Sequence, residues 1–403
     1  MFKELGQYFT KNELLLQNVF SMILNQPELI LEPSVGQGHL VDYVLKNNKE
    51  QETKKVTKFI NFNMIEIDTD IEQLPSIDKS QIQYGDFLEL DIKKKYKTII
   101  GNPPFVKKKG GNLYIRFIDK CVDLLDEDGG ELIFIIPSDF FKITSASKTI
   151  EKMVKNGYFS HIYHPHDEHL FEGASIDVLI FRYVRDIKNS LLKEKNNEIK
   201  YNNTEKYIIY NNGTLTFEDN INKDYVQLNE YFHVYVGMVS GCEELLKNNA
   251  YGNAELLVEK DKNEKYIFID NFETQHQELQ NYLLMNKEKL INRKVRKINE
   301  TNWYEFGLPR NKKNIDLLKG KSCIYIHNLT RKDQVAFKSI AQYFGGNLIM
   351  IIPKEKHENK IDLDKCISYF NSSEFKNKYL FSNRFKISQK NIKDTFLPTS
   401  IIC

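Results

Sequence analysis

Cysteine is scarce: Cys121, Cys242, Cys323, Cys366 and Cys403 are scattered through 403 residues, with no Cys-x-x-Cys among them. That excludes a disulfide framework and a cysteine zinc site, and it sets the expectation of a reducing, cytoplasmic environment with no metal. No apolar run approaches the ~20 residues of a membrane span, and the N-terminus lacks the basic-then-apolar order of a signal peptide, so no membrane partner is expected. The dinucleotide fingerprint Gly-x-Gly-x-x-Gly is missing too. Histidines gather only at His161, His164, His166 and His169, with Asp167 and Glu168 among them. Pro165 breaks any helical ligand spacing there, so the cluster reads as loop support or a nucleic-acid contact ahead of a metal site.

What is present is concentrated in residues 97–105, an apolar run stopped by Asn102-Pro103-Pro104-Phe105. Two consecutive prolines fix φ and have no N–H, so the chain is stiff while the carbonyls near Asn102 and Pro103 stay available as acceptors. A planar ring, an Asn oxygen and a bare carbonyl make a site for a flat heterocycle with an exocyclic amino group, adenine foremost. A strand ending in a proline turn beside an incidental aromatic reads the same residues more plainly.

Upstream, an apolar stretch at 28–31 leads into Glu32-Pro33-Ser34-Val35-Gly36-Gln37-Gly38 and then a helix-compatible run: strand, glycine turn, helix. Glu32 at the strand end disfavours a pyrophosphate and suits a cationic ligand. A second strand ends in Glu66, placed as an acceptor for a ribose diol. At a third strand end, Asp86 stands beside Phe87, an edge and a face for adenine.

Taken in order, Gly6-Gln7-Tyr8-Phe9-Thr10, the Glu32 to Gly38 turn, Glu66, Asp86-Phe87 and Asn102 to Phe105 resemble the amino-group DNA methyltransferases of the gamma arrangement. In that arrangement the cofactor and catalytic motifs come first and the target-recognition domain last. The resemblance runs to about residue 185, with echoes at Val234 to Gly241 and at Tyr369 to Ser372. It implies S-adenosylmethionine as cofactor. Gly6, Tyr8 and Thr10 would close over it, Glu32, Pro33, Gly36 and Gly38 would hold its methionine end, Glu66 the ribose, and Asp86 with Phe87 the adenine. Asn102 and the Pro103 carbonyl would take the two N–H bonds of the target amino group, with Pro104 stiffening the turn. Phe105 would stack on a flipped-out adenine and Phe171 would meet its other face. Many members carry Tyr where this chain has Phe105, which keeps the stacking and drops a hydroxyl. Phe171 equally reads as a core residue leading into the next strand.

A net charge of +2 conceals a split: residues 281–403 hold 24 Lys and Arg against 11 Asp and Glu, while residues 1–280 hold 33 against 44. Basic clusters recur in the C-terminal part, at Arg293, Lys294, Arg296 and Lys297, at Arg310 and Lys312, at Arg331, and at Ser382-Asn383-Arg384. Together with Lys107, Lys108 and Lys109 they are candidates for phosphate contact on double-stranded DNA.

Apolar patterning predicts strands near 28–32, 62–67, 82–84, 97–101, 131–136, 159–163 and 176–184, with helices at 113–125 and 146–155. Alternation of this kind predicts an α/β fold, a Rossmann-like parallel sheet covered on both faces. The resemblance makes it the seven-stranded methyltransferase sheet with an antiparallel edge, plus a C-terminal α+β target-recognition domain. Boundaries are set at 1–190 for the catalytic domain, 191–230 for a linker and an Asn-Gly hairpin, and 231–403 for the basic domain. The activity expected is N6-methylation of adenine in DNA by a monomer, with a separate cognate restriction endonuclease as an optional partner. RNA adenine, a protein glutamine amide, and a silent DNA-binding subunit remain the alternatives.

Overall fold

The computed structural model describes residues 6–52, 60–193, 197–219, 224–381 and 384–402. The chain divides into two compact units, Met1–Ile221 and Asn222–Cys403.

The first unit is built on one sheet of ten strands: β1 (Leu29–Glu32), β2 (Asn61–Glu66), β3 (Ile82–Tyr84), β4 (Thr98–Gly101), β5 (Asp128–Pro137), β6 (Gly157–Tyr163), β7 (Val178–Asp186), β8 (Glu198–Tyr201), β9 (Thr204–Asn211) and β10 (Thr214–Glu218). In space they run β3-β2-β1-β4-β5-β7-β6-β8-β9-β10. The strands from β3 to β5 pair in parallel, and β7 lies antiparallel between β5 and β6. All seven expected strands are therefore present, the last inserted antiparallel.

Period-2 alternation places the two cores. Leu132, Phe134 and Ile136 of β5 enter one apolar cluster, whereas Ile133 and Ile135 enter the other. Helices α3 (Leu113–Leu124) and α4 (Ser147–Asn156) cover the first face, and α1 (Glu13–Ser21) and α2 (His39–Glu52) cover the second. In α4 the buried residues Ile150, Met153 and Val154 fall at i, i+3 and i+4, one stripe of a helix. Each such side chain withdrawn from water contributes about 1.5–3 kcal/mol. The carboxylate of Glu131, fully buried, is satisfied by Arg182 Nε at 2.7 Å, by Thr98 Oγ1 at 2.9 Å and by the Leu24 and Asn25 amides. It ties the chain leaving α1 to the sheet.

The expected Asn-Gly hairpin is present as β9 and β10, whereas the stretch expected as linker contains β8, and all three strands extend the sheet. β8 pairs in parallel with β6, and β9 and β10 follow antiparallel, so the sheet gains three strands at that edge. The Asn-Gly turn is present: Asn212 and Gly213 have φ of 47° and 77°, the two positive values that a type I′ hairpin turn requires. Ile199, Ile208 and Leu215 join the first core, and that burial makes the extension part of the unit. Residues 194–196 and 220–223 of the expected linker lie outside the described residues, as do Ser382 and Asn383.

The second unit centres on a four-stranded antiparallel sheet, β11 (Phe232–Val236), β12 (Ser322–His327), β13 (Ala336–Ile340) and β14 (Leu348–Pro353), in the order β11-β14-β12-β13. Ile324, Ile326, Ile349 and Ile351 pack on one side with α5 (Leu363–Phe370), and Tyr325, Leu348, Met350 and Ile352 on the other. This is an α+β arrangement.

Candidate active site

Four strand ends converge on one place. Glu32 closes β1, Glu66 closes β2, Gly85-Asp86 follows β3 and Asn102 follows β4, all at carboxyl ends of parallel strands, where open α/β sheets bind ligands. A cavity of about 120 Å³ opens there, and Pro33, Gly36, Glu66, Asp86, Phe87, Asn102 and Pro104 are on its wall. A smaller one, of about 30 Å³, adjoins it, sharing Asn102, Ser34, Gly36 and Tyr8 and adding Glu32 and Thr10. The glycine turn fits the sequence: Gly36 and Gly38 have φ of +52° and +87°, and a Cβ on Gly38 would lie 2.4 Å from Ile77 Cγ1.

The carboxamide of Asn102 is oriented by the N-terminal segment. Its Nδ2 donates to the Tyr8 carbonyl at 2.7 Å and to Thr10 Oγ1 at 3.0 Å. A carbonyl only accepts, so nitrogen must face Tyr8, and Oδ1 must point the other way. That Oδ1 is buried and has no protein partner. Among the described residues none donates to the Pro103 carbonyl either. The Asn102 Oδ1 thus stays free in a desolvated position, where an unmet hydrogen bond costs about 1–3 kcal/mol. Gly6 joins the same arrangement by packing on Val106, the residue after the tetrad.

Beside these acceptors lies a group of rings. Phe105 stacks with Tyr8 at a centroid distance of 5.9 Å and an interplanar angle of 26°. Phe171 meets Phe105 edge-on at 6.2 Å and 76°, and Tyr114 does so at 6.1 Å and 89°. The sequence pairing of Phe105 with Phe171 is therefore close in space. The two rings touch edge to face and Phe171 is buried, so they do not form a parallel slot as they stand.

Both acids sit in low-dielectric surroundings. Burial pushes the Glu32 carboxyl up to about 8, with Glu66 nearby adding to the effect and the Ser34 amide opposing it. Its Oε1 accepts from Ser34 N at 3.1 Å, and its Oε2 is buried without a partner. Glu66 is likewise raised, first by burial, although Gly36 N at 2.7 Å and the Ile67 and Asp68 amides at 3.0 Å all donate to it. Acceptors and carboxylates at the ends of β1, β2 and β4 match a cationic or hydroxyl-bearing ligand and mismatch a phosphate.

Residues 8–171 match the Eco57I restriction-modification methylase model. That stretch is similar to the methylase segment of restriction-modification enzymes. The Type II methyltransferase M.HincII of Haemophilus influenzae is 29% identical over 204 residues, 45% of this chain and 37% of that protein. M.AccI of Acinetobacter calcoaceticus is 26% identical over 187 residues, 40% and 33% respectively. The match thus takes in about a third of the length of these curated relatives. Among solved structures, the Type IIL restriction-modification enzyme MmeI in complex with DNA aligns with 98% of this chain and 64% of its own at a TM-score of 0.58 and 11% identity, a likeness of fold that extends over both units.

The matched stretch contains every proposed cofactor and catalytic residue except Gly6. Two are placed differently from the expectation. Thr10 is buried with its hydroxyl on Asn102, so it orients the tetrad and does not line the larger cavity. Phe87 is a core residue, 5.0 Å from Phe117 with Lys120 Nζ 4.9 Å above its ring, and it offers the cavity only an inner wall. Lys108 reaches the cavity from the exposed Lys107 to Lys109 turn. Sequence reasoning missed Leu113, Arg116 and Phe117, which line the cavity from α3. Their i, i+3, i+4 spacing marks one face of the helix that follows the tetrad after a short two-stranded hairpin.

Of the basic residues in the second unit, Lys294, Lys297, Arg310, Arg331 and Arg384 are exposed. Arg293 is a correction. It is buried, and its guanidinium donates to the carbonyls of Leu290, Ser240, Trp303 and Glu305 at 2.7–3.0 Å. A guanidinium committed to four carbonyls is a fastening of the fold and not a phosphate contact. Arg296 pairs with Glu305, and Lys312 lies over the Phe268 ring 3.6 Å from Asp270.

Proposed function

We propose that this protein is a DNA adenine-N6 methyltransferase that uses S-adenosylmethionine, acts on a flipped-out adenine in double-stranded DNA, and serves as a modification enzyme of a restriction-modification system. The observation that carries the reading is the Asn102 carboxamide, held by its nitrogen so that its buried Oδ1 is left without a partner at the head of Asn102-Pro103-Pro104-Phe105. When bound, S-adenosylmethionine supplies an activated methyl group on a sulfonium. The residues suit it: the unpartnered Glu32 carboxyl oxygen would accept from a cationic group, and the spare lone pairs of Glu66 suit a diol.

In this reading Asn102 Oδ1 and the Pro103 carbonyl accept the two N–H bonds of the adenine amino group. Holding both hydrogens draws N6 towards sp3 geometry and turns its lone pair outwards. No strong base is required, because the nitrogen becomes acidic once methylated. Positioning and fixed dipoles supply most of the rate. Phe105 supports the base by stacking, since N6 is out of reach inside a duplex. For that, the Tyr8 ring gives up its place on Phe105 or Phe171 turns to make room.

The exposed cations Arg310, Arg331 and Arg384 are our candidates for backbone contact in DNA. One catalytic site needs one chain, so a monomer is proposed, with any cognate endonuclease acting separately. Expression in a host without adenine methylation, followed by mapping of modified bases, tests the function. N6-methyladenine at one short motif, absent for Asn102→Ala, is the expected result. An unmodified genome from folded, cofactor-binding protein would reject it in favour of RNA, a protein glutamine amide, or a silent subunit.

A further inference from the structure

A buried polar chain runs beneath the loop that carries Phe171. His164, just past β6, places Nε2 at 2.9 Å and 3.1 Å from the two oxygens of Asp177, just before β7. Ser138 Oγ donates to the same carboxylate at 2.5 Å, and Ser138 N donates to the Asp177 carbonyl at 3.0 Å. The other ring nitrogen, Nδ1, lies 3.1 Å from the Tyr201 hydroxyl. Asn202 completes the chain by pairing with the His164 backbone: its Oδ1 accepts from His164 N at 2.7 Å and its Nδ2 donates to His164 O at 3.2 Å. His164, Asp177 and Ser138 are all buried, and the His166 ring packs 3.7 Å from that of His164.

Ser, His and Asp together suggest a nucleophile at first sight. The connectivity differs: hydroxyl and imidazole both face the acid, so nothing activates the serine. What the chain does is mechanical. It joins both roots of loop 164–177, residue 164 and residue 177, to the end of β5 and to the β8–β9 turn. That turn belongs to the three-strand extension of the sheet. Within the loop, Ile176 N donates to Glu168 O and Ala174 N to Phe171 O, which leaves the Phe171 ring as the loop's contribution to the aromatic group around Phe105.

We propose that His164 is a positioning residue for target-base capture: through Asp177, Tyr201 and Asn202 it fixes the roots of the Phe171 loop, making the β8–β9 extension a brace for the base site. The inference rests on the methyltransferase reading given above. Its signature is selective, because the cofactor cavity is lined by residues 6–9, the ends of β1 to β4, Lys108 and α3, and none of His164, Asp177, Tyr201 and Asn202 is on its wall.

The test uses the full chain and a duplex bearing the mapped recognition sequence, with 2-aminopurine replacing the target adenine in the fluorescence arm. His164→Ala should lower kcat/KM for DNA by about 10- to 100-fold and reduce the 2-aminopurine rise, with S-adenosylmethionine affinity within about twofold of wild type. Combining it with Phe171→Ala should add little to the loss from Phe171→Ala alone, since both act through one ring. Two milder variants guard against misfolding. Tyr201→Phe removes only the hydroxyl, and Asn202→Gly suits a backbone whose φ is already 51°. Each should give a smaller loss of the same kind. Unchanged base capture in these folded variants, multiplicative losses in the double variant, or a matching loss of cofactor affinity would overturn the role. A wild-type enzyme that leaves the duplex unmethylated would instead reject the underlying function.

Discussion

Glu32→Gln is the perturbation that most directly examines the electrostatics of the site. Glu32 is buried, one of its oxygens has no partner, and its carboxyl is pushed up to about 8. At pH 7 only about one molecule in ten then carries the carboxylate. A cation that needs that carboxylate binds with an apparent Kd about tenfold above the limiting value at pH 7 and about twofold above it at pH 8. Calorimetry of S-adenosylmethionine binding from pH 6.5 to 8.5, in two buffers of different ionisation enthalpy, reads both the affinity and roughly 0.9 proton released at pH 7. The ligand's own amino group titrates near the same pH, so the ratio of wild type to Glu32→Gln is the informative quantity. That ratio should change about fivefold in favour of wild type between pH 7 and pH 8. A constant ratio would refute the assignment. Stability follows the same sign. A carboxyl raised in the fold favours the neutral form, so folding loses up to about 1.4 kcal/mol per pH unit as pH rises from the unfolded value towards 8. Glu32→Gln should therefore melt higher than wild type at pH 8.5 and lose that advantage by pH 4.

Asn102→Ala should abolish methyl transfer while cofactor affinity, by the same calorimetry, changes less than about threefold. Thr10→Val removes one of the two acceptors that orient the Asn102 amide; kcat should fall by about tenfold, with the fold intact by circular dichroism. Arg293→Ala strands four carbonyls, three of them buried, and thermal melts should show a loss of several kcal/mol in stability, where a DNA-contact residue would leave the melt unchanged. Replacing Arg310, Arg331 and Arg384 together should leave the melt alone and lower the slope of log affinity against log salt by about 2 to 3, measured by fluorescence anisotropy on duplex DNA.

The seven strands and the helices between them were legible because each strand is a short apolar run whose residues alternate between two cores, as Leu132 to Ile136 do. The strand ends followed, and with them Glu32, Glu66 and Asn102. Pairing between distant segments was not legible. Nothing local in Glu198 to Tyr201 says that it pairs with His161 and Ile162, so β8 read as linker and the hairpin after it read as separate from the sheet. Arg293 failed for a related reason: its neighbours Lys294 and Lys297 are exposed, and a run of like residues conceals the one that turns inward. Thr10 lies 92 positions from Asn102, and a hydroxyl that orients an amide looks, in sequence, like one that touches a ligand.

The way the Asn102 nitrogen is held has a consequence for how this site can be altered or inherited. An aspartate at position 102 would set a carboxylate oxygen against the Tyr8 carbonyl, two acceptors at hydrogen-bonding distance with no proton between them. The choice of amide over acid at position 102 is thus written partly in residues 8–10. Grafting the tetrad onto a related scaffold, or recombining two such genes between the two segments, should succeed only when both travel together.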